Sequence, residues 1–351
     1  MSYNPKYSIT EKMRSSLQEI ERLKNIAKGR RLLPEVEMSI RLRATVDTVH
    51  SSTSIEGNPL DAMEVRSIVI SNPKLSKKEY AEIEVQNYKR ALDYIAERRN
   101  GQAEISVDDV LMLHKIITER LLDKTRAGHF RQNEVYIENQ EHEIIYEAAP
   151  VEEVREAVEE LLLFVNANRA VLPAPIVAGI LHYQMVTIHP FADGNGRVSR
   201  ALALLYLAIM RYDCGGSLAL DSYYAQDKQT YYRVLQRTHG DNYLGAFDTD
   251  LTDWLEYFAE GFVTALHVLD AEIRIVDLAV LPSFGQNDLS AEEIEILSYV
   301  GTNGSIDISD AEKLLPEMNR RTLQRRLKKL VDDGVLELVG STHEAKYRLA
   351  K

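Results

Sequence analysis

The sequence predicts a mainly helical protein with one short β-hairpin and a small C-terminal domain of different pattern. From residue 8 to about residue 280, apolar side chains recur at i, i+3, i+4 and i+7, which is typical of amphipathic helices. The predicted helices cover Ser8–Ala27, Glu35–Ser52, Glu79–Arg98, Val107–Leu121, Val151–Ala167, Ala174–Val186 and Leu251–Val280. This pattern predicts a helical bundle.

One segment interrupts the helical pattern. In "NEVYIENQEHEIIYEAAP", β-branched and aromatic residues lie on both sides of a polar turn. Such an arrangement predicts a β-hairpin, with Val135–Ile137 paired to Ile144–Tyr146.

The pattern changes again after "LPSFGQND", whose Pro, Gly and Asn predict a linker. Ser290, followed three residues later by Glu293, predicts a capped helix. Two more helices, Ser309–Leu315 and Arg320–Asp332, precede a strand, a turn and a strand, which together predict a winged helix-turn-helix. We therefore expect two domains, residues 1–285 and residues 288–351, with the core of the first at about 105–245.

Composition limits the class of protein. The longest apolar run, Ala201–Met210, is about half the length of a membrane helix, and the N-terminus lacks the apolar core of a secretory signal. The single cysteine, Cys214, cannot form an intrachain disulfide. We therefore expect a soluble, cytoplasmic protein without a membrane partner. The net charge of −12 argues against nucleic-acid binding by the whole surface but allows a local basic patch.

Polar residues are concentrated in "HPFADGNGRVSR", residues 189–200, directly before the apolar run "ALALLYLAIM". Gly194-Asn195-Gly196 would let the backbone approach a ligand and would offer N–H groups at a helix N-terminus, where an anion is favoured. Arg197 and Arg200 lie at i and i+3, so both guanidinium groups project from one side of the first turn and suit phosphate oxygens.

Two other residues of this segment carry complementary chemistry. Asp193 can hold a Mg²⁺ ion that bridges phosphates, and His189 can act as a general base at neutral pH. Together these residues predict a phosphate-transfer site. The alternative is a helix N-terminus that merely carries charges.

The segment resembles the signature of the Fic family of AMP-transferases, His-x-Phe-x-(Asp/Glu)-Gly-Asn-Gly-Arg-x-x-Arg, at every defined position. The resemblance covers about residues 35–245 and implies a Fic-type helical bundle that moves AMP from ATP to a protein hydroxyl. It implies that His189 takes the hydroxyl proton and that Asp193 holds Mg²⁺. It also implies phosphate contacts by Gly194, Asn195, Gly196, Arg197 and Arg200. Phe191 would anchor the loop in the core.

Two further segments resemble parts of Fic proteins. The predicted hairpin resembles the flap that aligns a target as an added strand, and its residues are Val135, Tyr136, Ile137, Ile144, Ile145 and Tyr146. A hairpin that only covers the core is the alternative. "TYYRVLQRTHGD" resembles the helix beside the adenine, where Tyr232, Leu235 and His239 share one face. Ordinary core packing is the alternative there.

The segment "SSTSIEGNPL" is similar to the inhibitory motif (Ser/Thr)-x-x-x-Glu-(Gly/Asn) of many Fic proteins. The resemblance implies that Glu56 pairs with Arg200 and occupies the partner that a γ-phosphate would use. A solvent-facing Glu near a helix end is the alternative.

The C-terminal helix "NRRTLQRRLKKLVDDG" combines an apolar stripe with many basic residues. In a winged helix it would be the recognition helix, and Arg320, Arg321, Arg325 and Arg326 are the candidate DNA contacts. Because acidic residues slightly outnumber basic ones in this domain, protein docking is the alternative.

Three functions are compatible with the sequence. The first is an adenylyltransferase that uses ATP and Mg²⁺, acts on a Ser, Thr or Tyr of a protein including itself, and is autoinhibited by Glu56. The second is removal of AMP at the same site, with Glu56 positioning water. The third is a DNA-binding regulator that senses nucleotide. The target, a donor other than ATP, and a homodimer are left open.

Overall fold

A computed structural model describes residues 3–30, 32, 34–71, 79–101, 104–138, 144–246, 249–279, 289–340 and 346–350. Most of these residues are helical. The elements are α1 (Glu11–Gly29), α2 (Pro34–Ile55), α3 (Ala62–Ser71), α4 (Glu79–Arg98), α5 (Val107–Thr118), β1 (Tyr136–Glu138), β2 (Ile144–Glu147), α6 (Val154–Asn168), α7 (Ala174–Ile188), α8 (Asn195–Ile209), α9 (Asp221–Gln226), α10 (Lys228–His239), α11 (Tyr243–Ala246), α12 (Thr252–Ala279), α13 (Ala291–Asn303), α14 (Ile308–Leu314), α15 (Arg320–Asp332), β3 (Leu336–Val339) and β4 (Lys346–Leu349).

The chain divides into two compact units. The first comprises Met1–Lys24 and Thr45–Leu266, and the second comprises Asn25–Ala44 and His267–Lys351. The predicted linker and the domain boundary between residues 285 and 288 lie outside the described residues, so that boundary stays a prediction. No helix in the described ranges is long and apolar enough to span a bilayer.

Helix α7 lies at the centre of the first unit. Its residues are buried along almost the whole length because the helix is apolar on nearly every side. A Cβ atom at Gly179 would lie 2.8 Å from Leu255 Cδ2, so glycine permits the close approach of α12. The indole of Trp254 donates to the Gly179 carbonyl at 2.8 Å and strengthens this contact. The predicted active-site loop therefore connects two buried helices, α7 and α8.

The predicted hairpin is present, and three of its four strand ends differ from the prediction by one residue: β1 begins at Tyr136 and ends at Glu138, and β2 ends at Glu147. Its antiparallel register pairs Tyr136 with Glu147 and Ile137 with Tyr146. Val135 was expected in the first strand but lies before it; only its carbonyl takes part, accepting from the Ala148 N–H at 3.3 Å. The Glu147 N–H points away from β1 and donates to the Asp241 carbonyl at 2.9 Å. The polar turn, residues 139–143, lies outside the described residues.

The C-terminal elements of the second unit follow the predicted order of three helices and two strands. Ser290 and Glu293 form the predicted capping box at the start of α13. Leu323, Leu327 and Leu330 are fully buried on α15 and form a core with α13 and α14. Strands β3 and β4 pair antiparallel, from Leu336↔Leu349 to Val339↔Lys346. The order of elements agrees with the expectation, and its function as a winged helix stays a prediction.

Candidate active site

His189 lies directly after α7, at the entrance to the loop that leads into α8. Its backbone is left-handed, with a φ of 53°, which is uncommon for a residue other than glycine. Two hydrogen bonds hold this conformation: the His189 N–H donates to Met185 O at 3.2 Å, and the His189 carbonyl accepts from Arg131 Nε at 2.9 Å. The C-terminus of α7, a buried helix, therefore fixes the position of the imidazole.

The imidazole of His189 is suited to accept a proton. Burial, together with the nearby charge of Arg131, lowers its pKa to about 4, so the ring is neutral at physiological pH. Its Nδ1 atom lies 3.3 Å from the Val186 carbonyl, a position in which Nδ1–H donates. The lone pair of Nε2 then remains available for a proton from a substrate.

The loop that follows His189 is organised by the side chain of Asn195. Asn195 Oδ1 accepts from the Phe191 N–H and Asn195 Nδ2 donates to the Phe191 carbonyl, both at 2.9 Å. The expected core position of Phe191 is observed, since its ring is fully buried and stacks on His114 with 3.7 Å between ring centroids. Asn195 therefore acts on the shape of the loop, and any phosphate contact it makes is through its backbone.

His114, on α5, contacts the loop through a hydrogen bond and through stacking on Phe191. Its Nδ1 accepts from the Gly128 N–H at 2.9 Å, so Nε2 carries the proton and donates to the Asp193 carbonyl at 3.1 Å. Burial lowers the pKa of His114 to about 4, which keeps this neutral tautomer. His114 was not singled out in the sequence.

Arg200 and Glu56 form the predicted ion pair. Arg200 Nη2 donates to Glu56 Oε1 at 2.8 Å, and the same guanidinium donates to the hydroxyl and the carbonyl of Ser52 at 2.8 and 2.9 Å. The Arg200 side chain is fully buried, whereas Glu56 is 27% exposed. Burial alone would raise the pKa of Glu56, but the charge and hydrogen bond of Arg200 outweigh it, so the net shift is downward and the carboxylate is ionised.

Gly196 permits this close approach. A Cβ atom at position 196 would lie 2.4 Å from Glu56 Oε1 and 3.2 Å from Arg200 Nη1. Any larger residue would therefore displace the carboxylate from the first turn of α8. Gly194 has a different role, since its φ of 82° lies in the left-handed region that favours glycine.

Arg197 is paired with a residue that sequence analysis missed. Its Nη1 atom donates to Glu84 Oε1 on α4, and both side chains are almost fully buried. Its Nη2 atom lies 3.4 Å from Asp193 Oδ1. One signal for Glu84 was available: it lies on the same helical stripe as Tyr88, Ala91 and Ile95, which are buried, so a charge there requires a partner.

Asp193, the predicted Mg²⁺ ligand, has a side chain that solvent can reach. Its side chain is 48% exposed and lies immediately before the glycine turn. Its Oδ1 atom accepts from the Gly194 N–H at 2.6 Å, which orients the carboxylate. Among the described residues no group of three or more metal-ligating side chains occurs, and Mg²⁺ binding at Asp193 stays a prediction.

Arg131 connects the loop to the hairpin and was also missed. Its side chain donates to the carbonyls of His189, Asn133 and Ala149, and its own N–H donates to the Pro190 carbonyl at 3.0 Å. It therefore contacts the chain on both sides of the hairpin. No periodicity predicts contacts of this kind, because they join segments far apart in the sequence.

The six predicted hairpin residues divide between target-facing and core positions. Tyr136 and Ile144 are exposed, whereas Tyr146 is fully buried, donates to the Thr187 carbonyl at 2.8 Å and packs against His239. Val135, Ile137 and Ile145 are half-buried. Tyr146 thus anchors the hairpin to α7, and the exposed residues remain candidates for target contact.

The predicted adenine-side residues lie on α10 as expected, but they differ in exposure. Leu235 and His239 are buried. Tyr232 is 42% exposed, and its hydroxyl donates to the Ile55 carbonyl at 3.3 Å. Contact of any of the three with adenine stays a prediction.

The basic residues of α15 also differ from one another. Arg326 lies 3.1 Å from the buried Glu293, and Arg320 lies 2.8 Å from Glu312, so acids on neighbouring helices neutralise both. Arg321 and Arg325 are exposed. As candidate DNA contacts, all four stay predictions.

Comparison with known proteins identifies the class of this site. Residues 104–207 match the model of the Fic/DOC family, and this range includes the His189 loop and most of α8. This part of the chain is therefore similar to a Fic domain. The protein adenylyltransferase fic-1 of Caenorhabditis elegans is 32% identical over 167 residues, which cover 46% of this chain and 31% of that protein. The protein adenylyltransferase Fic of Drosophila melanogaster is 28% identical over 156 residues, 44% of this chain and 30% of that protein. The chain thus spans about a third of the length of these relatives.

Solved structures share the fold. A Fic family protein from Desulfovibrio desulfuricans superposes with a TM-score of 0.63 at 22% identity, covering 99% of this chain and 98% of that one. Fic-1 from C. elegans superposes with a TM-score of 0.59 at 24% identity over 75% of this chain and 73% of that one. The predicted helical Fic bundle with a small β-hairpin is confirmed.

Proposed function

We propose that this chain is a protein adenylyltransferase that transfers AMP from ATP to a hydroxyl side chain of a protein, its own chain included, and that Glu56 restrains it. The observation that carries the proposal is the 2.8 Å pair between Glu56 and Arg200, the last arginine of a complete Fic signature. The similarity to proteins named protein adenylyltransferase supports the same chemistry.

In the proposed reaction, the substrate oxygen attacks the α-phosphorus of ATP while its proton passes to Nε2 of His189. A bond forms between that oxygen and the α-phosphorus, and the bond from the α-phosphorus to the bridging oxygen breaks, so pyrophosphate leaves. A neutral His189 is required, and its lowered pKa meets that requirement.

The phosphates have a suitable receptor at the start of α8. The free N–H groups of the first turn and the helix dipole favour an anion there, and Gly194 and Gly196 let it approach the backbone. Mg²⁺, when bound at Asp193, would neutralise phosphate charge. Arg197 lies beside Asp193, and Arg200 lies one turn further along the helix.

The restraint by Glu56 follows from charge and space. While Glu56 occupies Arg200 Nη2, a γ-phosphate has no access to that nitrogen and meets a like charge beside it. Glu56 is partly exposed and Arg200 is fully buried, so Glu56 is the partner that moves when the pair opens.

Incubation with ATP labelled at either phosphate tests the chemistry. We expect Glu56→Gly to acquire label from [α-³²P]ATP, to acquire none from [γ-³²P]ATP, and to release pyrophosphate. The matched control is Glu56→Gly combined with His189→Ala, which keeps the phosphate receptor and lacks the base. Transfer of the γ-label would mean a kinase-type reaction and would contradict the proposal.

The same site supports removal of AMP as a second candidate, since Glu56 is a partly exposed carboxylate beside the phosphate receptor. The two directions respond oppositely to one variant. If removal is the reaction, wild-type protein releases AMP from a purified modified target, and Glu56→Gly loses that activity.

A DNA-binding role for the C-terminal domain is favoured by one observation, the exposure of Arg321 and Arg325 on α15. Because phosphate contacts release counterions, DNA binding would weaken steeply with salt. Double substitution of these arginines by Ala should abolish retention of DNA. Unchanged retention would show that they do not contact DNA, and a wild type that retains no DNA would favour protein docking.

A further inference from the structure

Glu84, on α4, lies outside every motif found in the sequence, yet it contacts the catalytic segment. One carboxylate oxygen accepts from Arg197 Nη1, and the other accepts from Asn58 Nδ2 at 2.6 Å. Asn58 follows Glu56 by two residues and also donates to the Ala81 carbonyl of α4 at 3.0 Å. Glu84 is therefore bonded both to the arginine of the signature and to the segment that carries the inhibitory glutamate.

Glu56 and Glu84, which each accept a hydrogen bond from an arginine of α8, differ in exposure. Glu56 is 27% exposed and can leave Arg200 for solvent. Glu84 is 7% exposed and Arg197 is 4% exposed, so separating them would leave two uncompensated charges in the interior. This difference indicates that Glu84 stays bound to Arg197 when a nucleotide enters, whereas Glu56 departs.

The remaining contacts of Arg197 show what Glu84 prevents. Arg197 Nη2 lies 3.4 Å from Asp193 Oδ1, so Asp193 is the nearest other carboxylate for this guanidinium. Without Glu84, the buried positive charge would be drawn to Asp193 and would compete with a metal there. With Glu84 in place, Nη1 is bonded to α4, and Nη2 lies 3.4 Å from Asp193 Oδ1 and 3.9 Å from the position of a Cβ atom at Gly194.

We propose that Glu84 is a positioning residue that holds Arg197 for the phosphates of ATP and limits its contact with Asp193, the proposed metal ligand; this inference rests on the proposed function. Its effect is opposite in sign to that of Glu56: loss of Glu56 exposes a phosphate ligand, whereas loss of Glu84 misplaces one.

A double-mutant cycle on nucleotide affinity tests this inference in the full chain. The parent is Glu56→Gly with His189→Ala, which binds ATP and Mg²⁺ without turnover, and affinity is measured by titration calorimetry. Into it are placed Glu84→Gln, Arg197→Ala and both together. We expect each single change to weaken ATP binding by about ten- to a hundredfold, the range of a charge-assisted hydrogen bond. The double variant should bind ATP with the same affinity as Arg197→Ala alone, within about twofold.

Asp93→Asn is the matched control, since Asp93 is an exposed acid on the same helix, paired with Lys89. It should leave ATP affinity unchanged. Losses that add in the cycle would show a merely structural role for Glu84, and tighter binding by Glu84→Gln would show a second inhibitory carboxylate; either result overturns the proposal. If Glu84→Gln does not fold, Glu84→Asp enters the same cycle with the same criteria. Because the readout is binding, the result does not depend on whether Glu56→Gly transfers AMP, which the labelling experiment decides separately.

Discussion

Glu56 Oε1 accepts a hydrogen bond of 2.8 Å from Arg200 Nη2, across 144 positions of sequence. Arg200 is fully buried and Glu56 is not, so this pair joins a fixed cation to a movable anion. Its position at the first turn of α8 places it where a nucleotide phosphate is expected. The following predictions depend on this arrangement and on the residues around it.

Removal of the base should separate chemistry from binding. In the Glu56→Gly background, His189→Ala should lower the rate of AMP transfer by about a hundredfold or more, the range of a positioned general base. ATP affinity should change little, because the residues of the phosphate receptor remain. The measurement is initial rate and calorimetric affinity on the same protein. A transfer rate within a few-fold of the parent would remove His189 from the mechanism.

The pH dependence of transfer should report the lowered pKa of His189. Since the neutral imidazole is the active form and its pKa is about 4, the rate should be flat from pH 8 to about pH 5 and fall below that. The charge of Glu56 raises this pKa, so using the Glu56→Gly variant does not move the fall upward. A rate that halves near pH 6.5, the ordinary value for histidine, would contradict the assigned environment.

Binding of Mg²⁺ should depend on the carboxylate of Asp193. Asp193→Ala should eliminate turnover and weaken ATP binding in the presence of Mg²⁺, while ATP binding in EDTA should be nearly unchanged. The comparison of the two affinities isolates the metal from general damage to the loop. Full transfer activity in EDTA would refute a metal role for Asp193.

Stability should fall in mild acid because of His114. The folded protein binds a proton at His114 only near pH 4, whereas the unfolded chain binds one near pH 6.5. The unfolding free energy therefore decreases as pH falls through this window, by about 3 kcal/mol for this residue. Denaturant unfolding at several pH values should show a shallower decrease for His114→Gln than for wild type. Equal slopes would show that His114 does not carry the effect.

The parts of the fold that sequence predicted are those set by local pattern. The long helices follow from the spacing of apolar residues, and the capping box at Ser290 follows from Glu293 three residues later. The short helices α9 and α11 have too few turns to show a period, and α3 was not predicted either. The start of β1 was misplaced by one residue, because Val135 joins the pairing only through its carbonyl, and residue type does not show this.

The candidate site likewise contains residues that local sequence predicts and residues that it does not. His189, Asp193 and the glycines could be named because one contiguous segment carries them. Glu84, Arg131 and His114 could not, because each acts through a contact with residues dozens of positions away. Of these three, only Glu84 has a signal in the sequence, because it is a charged residue on a helical stripe that is otherwise apolar.

The most direct test of the central claim is the rate of self-modification by intact mass spectrometry, with ATP and Mg²⁺, for wild type, Glu56→Gly and Arg200→Ala. A charge-assisted pair of this kind resists separation by about 1.5–3 kcal/mol. Glu56→Gly should therefore gain AMP about ten- to a hundredfold faster than wild type. Arg200→Ala breaks the same pair but removes the phosphate ligand, so it should show no gain. Equal or slower modification by Glu56→Gly than by wild type, in protein that still requires His189, would contradict restraint by Glu56.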